Sequence, residues 1–415
     1  MPRQPQAAVC FSEVSVTSTA VMPTYSRLPV AFQQGKGAWL QDTDGRWYLD
    51  ALSGIAVCGL GHAHPAVAAA LSGQAHTLIH TSNLYGIPHQ DALGERLCAL
   101  SGLDQVFFAN SGAEANEAAI KLARLYGYNQ GIEAPDIIVT DNAFHGRTLG
   151  ALAATGNRKA QTGFGPLPAG FVRVPYNDAQ AIADAATERT VAILVEPVQG
   201  EGGIVVPNDD YLPALRRLAD THGWLLMADE VQAGVGRTGR WFGHQHAEIR
   251  PDVITIAKAL ANGVPIGACL AGGKAHGVLG PGSHGTTFGG NPLATRAALS
   301  VLDVIESEAL LARADALGTR ILEGFRKALH GIEGITDIRG RGLMIGIELA
   351  QPCPDLVNQA LAAGLLINVT AGCVVRLLPP LIFTDEEADQ LVRILAPLIA
   401  QTATQNTAAA AKVSH

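Results

Sequence analysis

The chain has 415 residues, of which 48% are hydrophobic and 16% are charged. This length allows roughly two or three domains with sizeable apolar cores, and the composition is typical of a globular protein and not of a disordered one. The formal net charge of −8, with no basic run along the chain, argues against a nucleic-acid partner.

In chain order, short apolar runs alternate with helix-length amphipathic stretches from about residue 105 to residue 271. We predict strands at 137–140, 191–195, 225–228 and 253–257, and helices at 115–126 and 211–221. Several of these strands are almost entirely apolar, as expected when helices cover both faces of a sheet. The pattern predicts an α/β domain with a mostly parallel central sheet.

After Pro292 the pattern changes to two long helices over residues 293–329. A strand at 343–349, a helix at 355–363, a strand at 374–378 and a last helix from Asp385 follow. This order predicts a smaller α+β domain. We therefore expect an N-terminal segment (1–65) that packs with the small domain, a large domain (66–292), the small domain (293–400) and a tail without stable structure (401–415).

The cysteines and the termini suggest a cytoplasmic protein. The six cysteines are scattered, with no C-x-x-C pair, so neither a zinc site nor a disulfide framework is indicated. The N-terminus lacks the continuous apolar stretch of a secretory signal, and the least charged stretch, 356–375, is interrupted by polar residues. We expect no membrane partner, and no metal, because His62 and His64 have no third ligand placed by spacing.

Lys258 follows the apolar run 253–257 and precedes a loop broken by Gly263. An amine at the end of a buried strand is partly desolvated, which lowers its pKa and makes it a nucleophile toward carbonyls and a base. Most lysines are solvated surface residues, so Lys258 alone does not indicate a site. The motifs at 229–232 and 285–292 support the functional interpretation.

Asp229 ends an apolar strand, so its carboxylate should emerge at the carboxyl edge of the sheet, where open α/β folds bind ligands. An aspartate in a surface loop is the commoner interpretation. A buried aspartate, however, needs a cationic partner, and a protonated pyridine nitrogen would be one. Such a pair keeps the ring positively charged and makes it an electron sink, as pyridoxal-phosphate chemistry requires. Gln232 would then hydrogen-bond the ring oxygen.

Ser111 and Glu114 fit a capping box at the start of a helix. Gly112 and Ala113 in the first turn also allow backbone amides to approach a phosphate closely, and the helix dipole favours the anion. The two interpretations are compatible.

Two further groups of residues are candidates for binding. Phe144 is either a core residue or a ring that stacks on a planar ligand, and Arg147 nearby suits bidentate capture of a carboxylate. Glu201 and Arg376 are charges in glycine-rich or apolar surroundings, so each needs a partner, and they could be each other's.

Taken together, these motifs resemble the class III pyridoxal-phosphate aminotransferases of fold type I, and within them most closely the acetylornithine aminotransferases. The resemblance runs from about residue 28 to residue 398. It rests on GIAV at 54–57, GHAHP at 61–65, NSGAEANE at 110–117, FHGR at 144–147, EPVQGEGG at 196–203, DEVQ at 229–232, AKAL at 257–260 and HGTTFGGNP at 284–292.

The resemblance implies specific roles. Lys258 would bond covalently to pyridoxal 5′-phosphate, Asp229 would pair with the ring nitrogen and Gln232 would contact the ring oxygen. Ser111, Gly112 and Ala113 would hold the phosphate, Phe144 would stack on the ring and Val231 would also contact the cofactor. Thr287 would reach the phosphate from the other subunit of a homodimer with shared active sites.

The resemblance also implies the substrate contacts. Arg147 would anchor the carboxylate of acetylornithine and the distal carboxylate of glutamate, with Thr286 beside the substrate. Arg376 would bind the glutamate α-carboxylate, and Glu201 would mask it in the other half-reaction. Many relatives have Thr at position 113, where this chain has Ala113. Ornithine aminotransferases carry Tyr where this chain has Ile55, which favours acetylornithine or 4-aminobutyrate as the amine.

We therefore expect an aminotransferase that converts N-acetylornithine and 2-oxoglutarate to N-acetylglutamate semialdehyde and glutamate. A decarboxylase or racemase-type enzyme on the same scaffold and a binding protein that has kept the pocket are the alternatives. Lys258 beside Asp229 argues against the binding protein, and the Glu201–Arg376 pair argues for transamination. The sequence leaves succinylornithine, ornithine, 4-aminobutyrate and N-succinyl-diaminopimelate open as amine donors.

Overall fold

The computed structural model describes residues 20–413. The strands are β1 (Phe32–Lys36), β2 (Trp39–Asp42), β3 (Trp47–Asp50), β4 (Gln105–Ala109), β5 (Asp136–Thr140), β6 (Phe171–Val174), β7 (Thr190–Val195), β8 (Leu225–Asp229), β9 (Val253–Ile256), β10 (Gly267–Ala271), β11 (Ile335–Arg341), β12 (Met344–Leu349), β13 (Leu365–Leu366), β14 (Asn368–Thr370) and β15 (Val374–Leu377).

The helical segments are α1 (Ser53–Ala56), α2 (Pro65–Thr77), α3 (Pro88–Ser101), α4 (Gly112–Asn129), α5 (Leu149–Ala154), α6 (Arg158–Gln161), α7 (Ala179–Ala185), α8 (Tyr211–His222), α9 (Pro292–Ser307), α10 (Leu310–Ala328), α11 (Leu356–Ala362) and α12 (Asp385–Val413). Short 3₁₀ turns lie at Gly243–Ala247, Lys258–Ala261 and Gly273–Ala275.

The central sheet has seven strands in the order β4-β10-β9-β8-β7-β5-β6. The pairs β9–β8, β8–β7, β7–β5 and β5–β6 are parallel, whereas β10 runs antiparallel to both β9 and β4. Six strands therefore point in one direction. This arrangement confirms the predicted α/β fold with a mostly parallel sheet, and β5, β7, β8 and β9 match the predicted strands.

Helices cover both faces of this sheet because successive side chains of a strand point to opposite faces. Ile137 and Val139 of β5 pack in the same apolar cluster as Leu122 of α4. Ile138, between them, packs on the other face with Leu215 of α8. The near-continuous apolar runs in the sequence thus reflect burial on two sides.

The direction of the strands places the functional residues. Neighbouring parallel strands end at the same edge of the sheet, and ligands bind outside the carboxyl ends of such strands. Asp229 is the last residue of β8, Glu196 follows β7, Lys258 closely follows β9, and the loop with Phe144 follows β5. The fold brings all four to one edge.

The C-terminal part forms an antiparallel sheet in the order β11-β12-β15-β14. A third sheet, β1-β2-β3-β13, links the two ends of the chain, because β13 pairs in parallel with β3. The predicted C-terminal helices and strands correspond to α9, α10, β12, α11, β15 and α12, whereas the strands β11, β13 and β14 were not predicted. The domain boundaries at 65, 292 and 400 stay a prediction.

The last helix is longer than the sequence suggested. It extends from Asp385 to Val413, so residues 401–413 are helical where a tail without stable structure was predicted. Alanine is the strongest helix former, and an alanine-rich end therefore continues a helix that is already nucleated. Residues 1–19, which include Cys10, and residues 414–415 lie outside the described part.

Within residues 20–413, no helix is both long enough and apolar enough to cross a bilayer. The same residues contain no group of three or more His, Cys, Asp or Glu side chains that could hold a metal ion. The cysteines described there are free thiols: Cys58, Cys98, Cys269, Cys353 and Cys373.

Two glycines inside helices should respond in opposite ways to substitution by alanine. A Cβ at Gly318 of α10 would lie 2.1 Å from the carbonyl oxygen of Gly342, whereas a Cβ at Gly73 of α2 would meet nothing within 4 Å. Gly318→Ala should lower the thermal midpoint, because α10 must move away from this turn. Gly73→Ala should raise the free energy of unfolding by about 1 kcal/mol, because alanine favours the helix. Equal midpoints for the two variants in a thermal melt would contradict the close packing at Gly318.

Candidate active site

A cavity of about 370 Å³ opens at the carboxyl edge of the central sheet. This volume is within the range of small-molecule sites. Nine residues predicted for the site line it: Ser111, Gly112, Ala113, Phe144, Arg147, Asp229, Val231, Gln232 and Lys258. Residues from α4, from the loop after β5 and from the ends of β8 and β9 thus face one space.

Asp229 is held at the base of the cavity by three donors. Its Oδ2 accepts from Asn116 Nδ2 at 2.8 Å and contacts His145 Nδ1 at 2.7 Å, and its Oδ1 accepts from the Val231 amide at 3.0 Å. The residue is 3% exposed, and His145 is its ion-pair partner among the described residues. Because an ionised carboxylate only accepts hydrogen bonds, His145 Nδ1 carries the proton of that contact.

Asn116 and His145 are themselves fixed. Asn116 Nδ2 also donates to the His145 carbonyl at 2.8 Å, and Thr255 Oγ1 donates to Asn116 Oδ1 at 2.8 Å. The Asp229 carboxylate therefore has little rotational freedom, and a cationic ligand would meet it in one orientation.

Lys258 lies just after β9 with a left-handed backbone (φ 44°), which is strained for a residue with a side chain. Burial lowers the pKa of its ammonium, and Arg376 lowers it further, whereas Glu201, Asp229 and Glu196 act in the opposite direction. A lowered pKa increases the fraction of neutral amine, the form that attacks carbonyls and accepts protons.

The start of α4 presents free amide groups to the cavity. Ser111 Oγ accepts from Glu114 N at 3.2 Å. The Glu114 carboxylate accepts from Asn110 N at 2.8 Å and not from the Ser111 amide, so only half of the predicted capping box forms. The first amides of a helix have no intrahelical acceptor. Among the described residues, the N–H groups of Gly112 and Ala113 are left for a ligand, where the helix dipole favours an anion.

Gly112 is required there by packing. A Cβ at this position would lie 2.7 Å from Val231 Cγ1, so any larger residue would push the helix away from Val231. The backbone of the first turn can thus come close to a ligand.

Gln232 carries a buried amide with no partner for its oxygen among the described residues. Its side chain lies against Gly200, where an added Cβ would be 2.3 Å from the amide carbon and oxygen. A buried polar atom without a partner costs free energy, so this amide is set for a ligand that binds in the cavity.

Phe144 and Arg147 lie on the loop after β5. The Arg147 guanidinium carbon is 5.7 Å from the centre of the Phe144 ring, and Arg147 is exposed at the cavity wall. The Phe144 amide donates to Glu196 Oε1 at 2.8 Å, which holds the loop on the sheet edge. An exposed guanidinium at the wall suits a ligand carboxylate.

Glu201 and Arg376 contact each other, as their sequence context suggested. Arg376 Nη1 lies 2.5 Å from Glu201 Oε1, and both residues influence the pKa of Lys258, which places the pair within electrostatic reach of the cavity. The Arg376 side chain is 1% exposed, whereas that of Glu201 is 34% exposed. The pair does not line the cavity itself in this structure.

Three other predicted residues lie outside the cavity. Ile55 packs in an apolar cluster beside it, and Thr286 contacts Asn110 Nδ2 through its hydroxyl at 3.2 Å. Thr287 is exposed. A single chain therefore does not bring Ile55, Thr286 or Thr287 into contact with the space between Lys258 and Asp229.

Four polar residues that line the cavity were not singled out from the sequence: Asn110, Asn116, His145 and Glu196. Glu196 follows an all-apolar strand, the same signal that identified Asp229. Burial raises the pKa of Glu196 to about 7, with Asp229 adding to the shift and His145 opposing it. Asn116 had a weaker signal, as a polar residue on the apolar face of α4.

Comparison with known proteins identifies the family of this chain. Residues 20–399 match the model of the family described as "Aminotransferase class-III". The acetylornithine aminotransferase 1 of Bordetella bronchiseptica is 59% identical over 386 residues, covering 92% of this chain and 98% of that protein. The chain belongs to the class-III aminotransferases.

Solved structures of aminotransferases share the fold of this chain. The ornithine aminotransferase of Toxoplasma gondii, in which PLP partly occupies the active site, superposes with a TM-score of 0.90 at 36% identity, covering 94% of this chain and 93% of that one. The acetylornithine aminotransferase of Elizabethkingia anophelis superposes with a TM-score of 0.82 at 36% identity, covering 92% and 97%. Aminotransferases of this class depend on pyridoxal phosphate, which confirms the predictions of family, fold type and cofactor.

The residues of the cavity fit this cofactor. The amides of Gly112 and Ala113 can receive its phosphate, and Asp229 can pair with its ring nitrogen. Gln232 lines the cavity, where its side-chain nitrogen can donate to a ring oxygen, and Lys258 supplies a desolvated amine. Each of these groups has a chemical match on the cofactor.

The segment 50–62 carries Val57 to the cavity wall through left-handed residues, which include Ser53 and Ile55. Asp50 fixes both ends: its Oδ1 accepts from Ser53 N at 2.8 Å, and its Oδ2 lies 2.8 Å from His62 Nε2. Burial alone would lower the pKa of His62, but Asp50, together with Cys58, raises it to about 9 from 6.5.

This raised pKa predicts a pH-dependent stability. Protonated His62 stabilises the folded state fully below about pH 6.5, and this contribution is lost as the pH rises through about 9. Relative to His62→Gln, the unmodified protein should lose on the order of 2 kcal/mol of unfolding free energy across this window. Urea denaturation at both ends of the window measures it, and an equal loss in the variant would show that His62 is not the group responsible.

Proposed function

We propose that the protein transfers the terminal amino group of N²-acetyl-L-ornithine to 2-oxoglutarate, giving N-acetyl-L-glutamate 5-semialdehyde and L-glutamate. Relatives called acetylornithine aminotransferases at 48–59% identity support this substrate. The observation that carries the proposal is the buried Arg376 paired with a partly exposed Glu201 near Lys258. The reaction belongs to arginine biosynthesis.

In this proposal the cofactor supplies the electron sink that stabilises negative charge on the substrate carbon. Lys258 would hold the cofactor covalently, and its Nζ would be the base that moves the proton of the carbon that bears the amine. Asp229, fixed by Asn116 and His145, keeps the ring nitrogen protonated. Gln232 donates to the ring oxygen.

The remaining predicted contacts complete the binding of the cofactor. Phe144 would stack on the ring and Val231 would contact the cofactor as well. Ser111, Gly112 and Ala113 hold the phosphate, and Ala113 provides no hydroxyl there. Thr287 reaches the phosphate from a second subunit, and its exposure together with that of Phe288 (59%) supports a homodimer with shared sites.

The two half-reactions present carboxylates at different ends of the substrate. Arg147 anchors the carboxylate of acetylornithine and the distal carboxylate of glutamate, with Thr286 beside the substrate. Arg376 receives the α-carboxylate of glutamate after Glu201 has turned away. With acetylornithine, Glu201 stays on Arg376 and neutralises it, so a buried cation is never left unpaired.

Ile55 supports an acylated amine as the donor. Its side chain packs with apolar neighbours and offers no group for the second charged amine of free ornithine. We also propose a cytoplasmic location, in keeping with the free thiols of the described cysteines.

Comparison of kcat/KM across amine donors tests the substrate. With 2-oxoglutarate as acceptor, acetylornithine should give the highest value among acetylornithine, succinylornithine, ornithine, 4-aminobutyrate and N-succinyl-diaminopimelate. A higher value for free ornithine or 4-aminobutyrate would overturn the assignment.

Removal of Glu201 should change the preference between amines. Glu201→Ala leaves Arg376 open to α-carboxylates, so kcat/KM for glutamate should rise relative to that for acetylornithine by about tenfold, the value of one charged contact. Single-turnover absorbance changes of the cofactor with each amine measure the ratio. Glu308→Ala, at an exposed position at the end of α9, is the matched control. An unchanged ratio in Glu201→Ala would disprove the switch.

A further inference from the structure

Arg376 has a second side-chain partner that has no place in the switch described above. Its Nη2 donates to Asn368 Oδ1 at 2.8 Å, whereas the contact with Glu201 is made by Nη1. The oxygen of the Asn368 amide must face Arg376, because a guanidinium only donates. The buried Nε of Arg376 has no partner among the described residues.

The backbone keeps Asn368 and Arg376 together. Asn368 lies on β14 directly opposite Arg376 on β15, and the register continues through Val369–Val375 and Thr370–Val374. Directly opposite residues on paired strands have adjacent Cβ atoms. The pairing of β14 with β15 therefore keeps the Asn368 and Arg376 side chains next to each other whether or not Glu201 is in place.

The same short strand also holds the main chain of Glu201. Thr370 Oγ1 donates to the Glu201 carbonyl at 2.6 Å, and Arg339 donates to the carbonyls of Gly203 and Ile204 at 2.7 and 2.9 Å. The loop that carries Glu201 is therefore fixed through its backbone, while the Glu201 side chain is 34% exposed and pairs with Arg376.

We infer that Asn368 is a positioning residue that holds the Arg376 guanidinium in place when Glu201 leaves. This inference rests on the proposed function, in which Arg376 receives the α-carboxylate of glutamate. An arginine side chain has many rotamers, and fixing them in advance reduces the entropy lost on binding. Because Asn368 is neutral, it orients the guanidinium without competing for its charge. Nη1 and the second N–H of Nη2 then remain available for the two oxygens of a carboxylate.

The inference predicts an effect on one half-reaction only. Asn368→Ala should raise KM for glutamate and for 2-oxoglutarate by about tenfold, the value of a hydrogen bond to a charged group. KM for acetylornithine should change little, because Glu201 covers Arg376 in that half-reaction. Asn368→Asp should raise KM for glutamate more than Asn368→Ala does, because a fixed carboxylate on Arg376 repels that of the substrate.

The experiment measures KM and kcat of the pyridoxal-phosphate-loaded enzyme for both substrates, together with calorimetric binding of glutarate, a dicarboxylate without an amine. Asn358→Ala, at an exposed position on α11 of the same region, is the control. Asn368→Ser replaces Asn368→Ala if the latter does not fold, with the same expectation.

Arg376→Lys separates the proposed role of Arg376 from that of Asn368: if it leaves KM for glutamate unchanged, the proposed role of Arg376 is wrong. If Arg376→Lys raises that KM but Asn368→Ala shifts neither the KM for glutamate nor the binding of glutarate, or shifts both substrates equally, the inference about Asn368 is overturned.

Discussion

The carboxylate of Asp229 is the group on which the arrangement of the site depends. It is almost fully buried, and its described partners are an amide, an imidazole and a backbone N–H. Burying a carboxylate is costly unless donors surround it. The donors come from α4, from the loop after β5 and from the residues after β8, so satisfying Asp229 ties these three elements together at the sheet edge.

The low polarity of this buried site also shifts the pKa values of the groups around Asp229. Burial lowers the pKa of Lys258 and raises that of Glu196, so both move toward their neutral forms. A neutral amine at Lys258 can react with an aldehyde, and a Glu196 with a pKa of about 7 carries less negative charge beside Asp229 than a solvated glutamate would. In the proposed switch, the difference in exposure within the Glu201–Arg376 pair lets the exposed carboxylate move while the buried guanidinium stays.

The location of the site and several of its residues could be predicted from the sequence, because neighbouring parallel strands end at the same edge of the sheet. Asp229 and Lys258 follow apolar runs, and the direction of the sheet brings them together without further information. The N-terminus of α4 was equally visible through Ser111 and Gly112. The motifs of a known family then supplied roles that spacing alone does not provide.

What could not be predicted depended on tertiary contacts. His145 and Asn116 matter because they meet at Asp229, and nothing local in either segment reveals that meeting. Asn368 became visible only through the register of β14 with β15. The end of the chain was misjudged for the opposite reason, because composition suggested a tail where local helix propensity continues α12. The role proposed for Thr287 involves a second chain, which a single sequence does not place.

The most direct test of the central claim is chemical trapping at Lys258. Borohydride treatment of the pyridoxal-phosphate-loaded protein, followed by proteolysis and mass spectrometry, should find the reduced cofactor on the peptide that contains Lys258. The absence of an adduct there, or an adduct on another lysine, would contradict this account of the site.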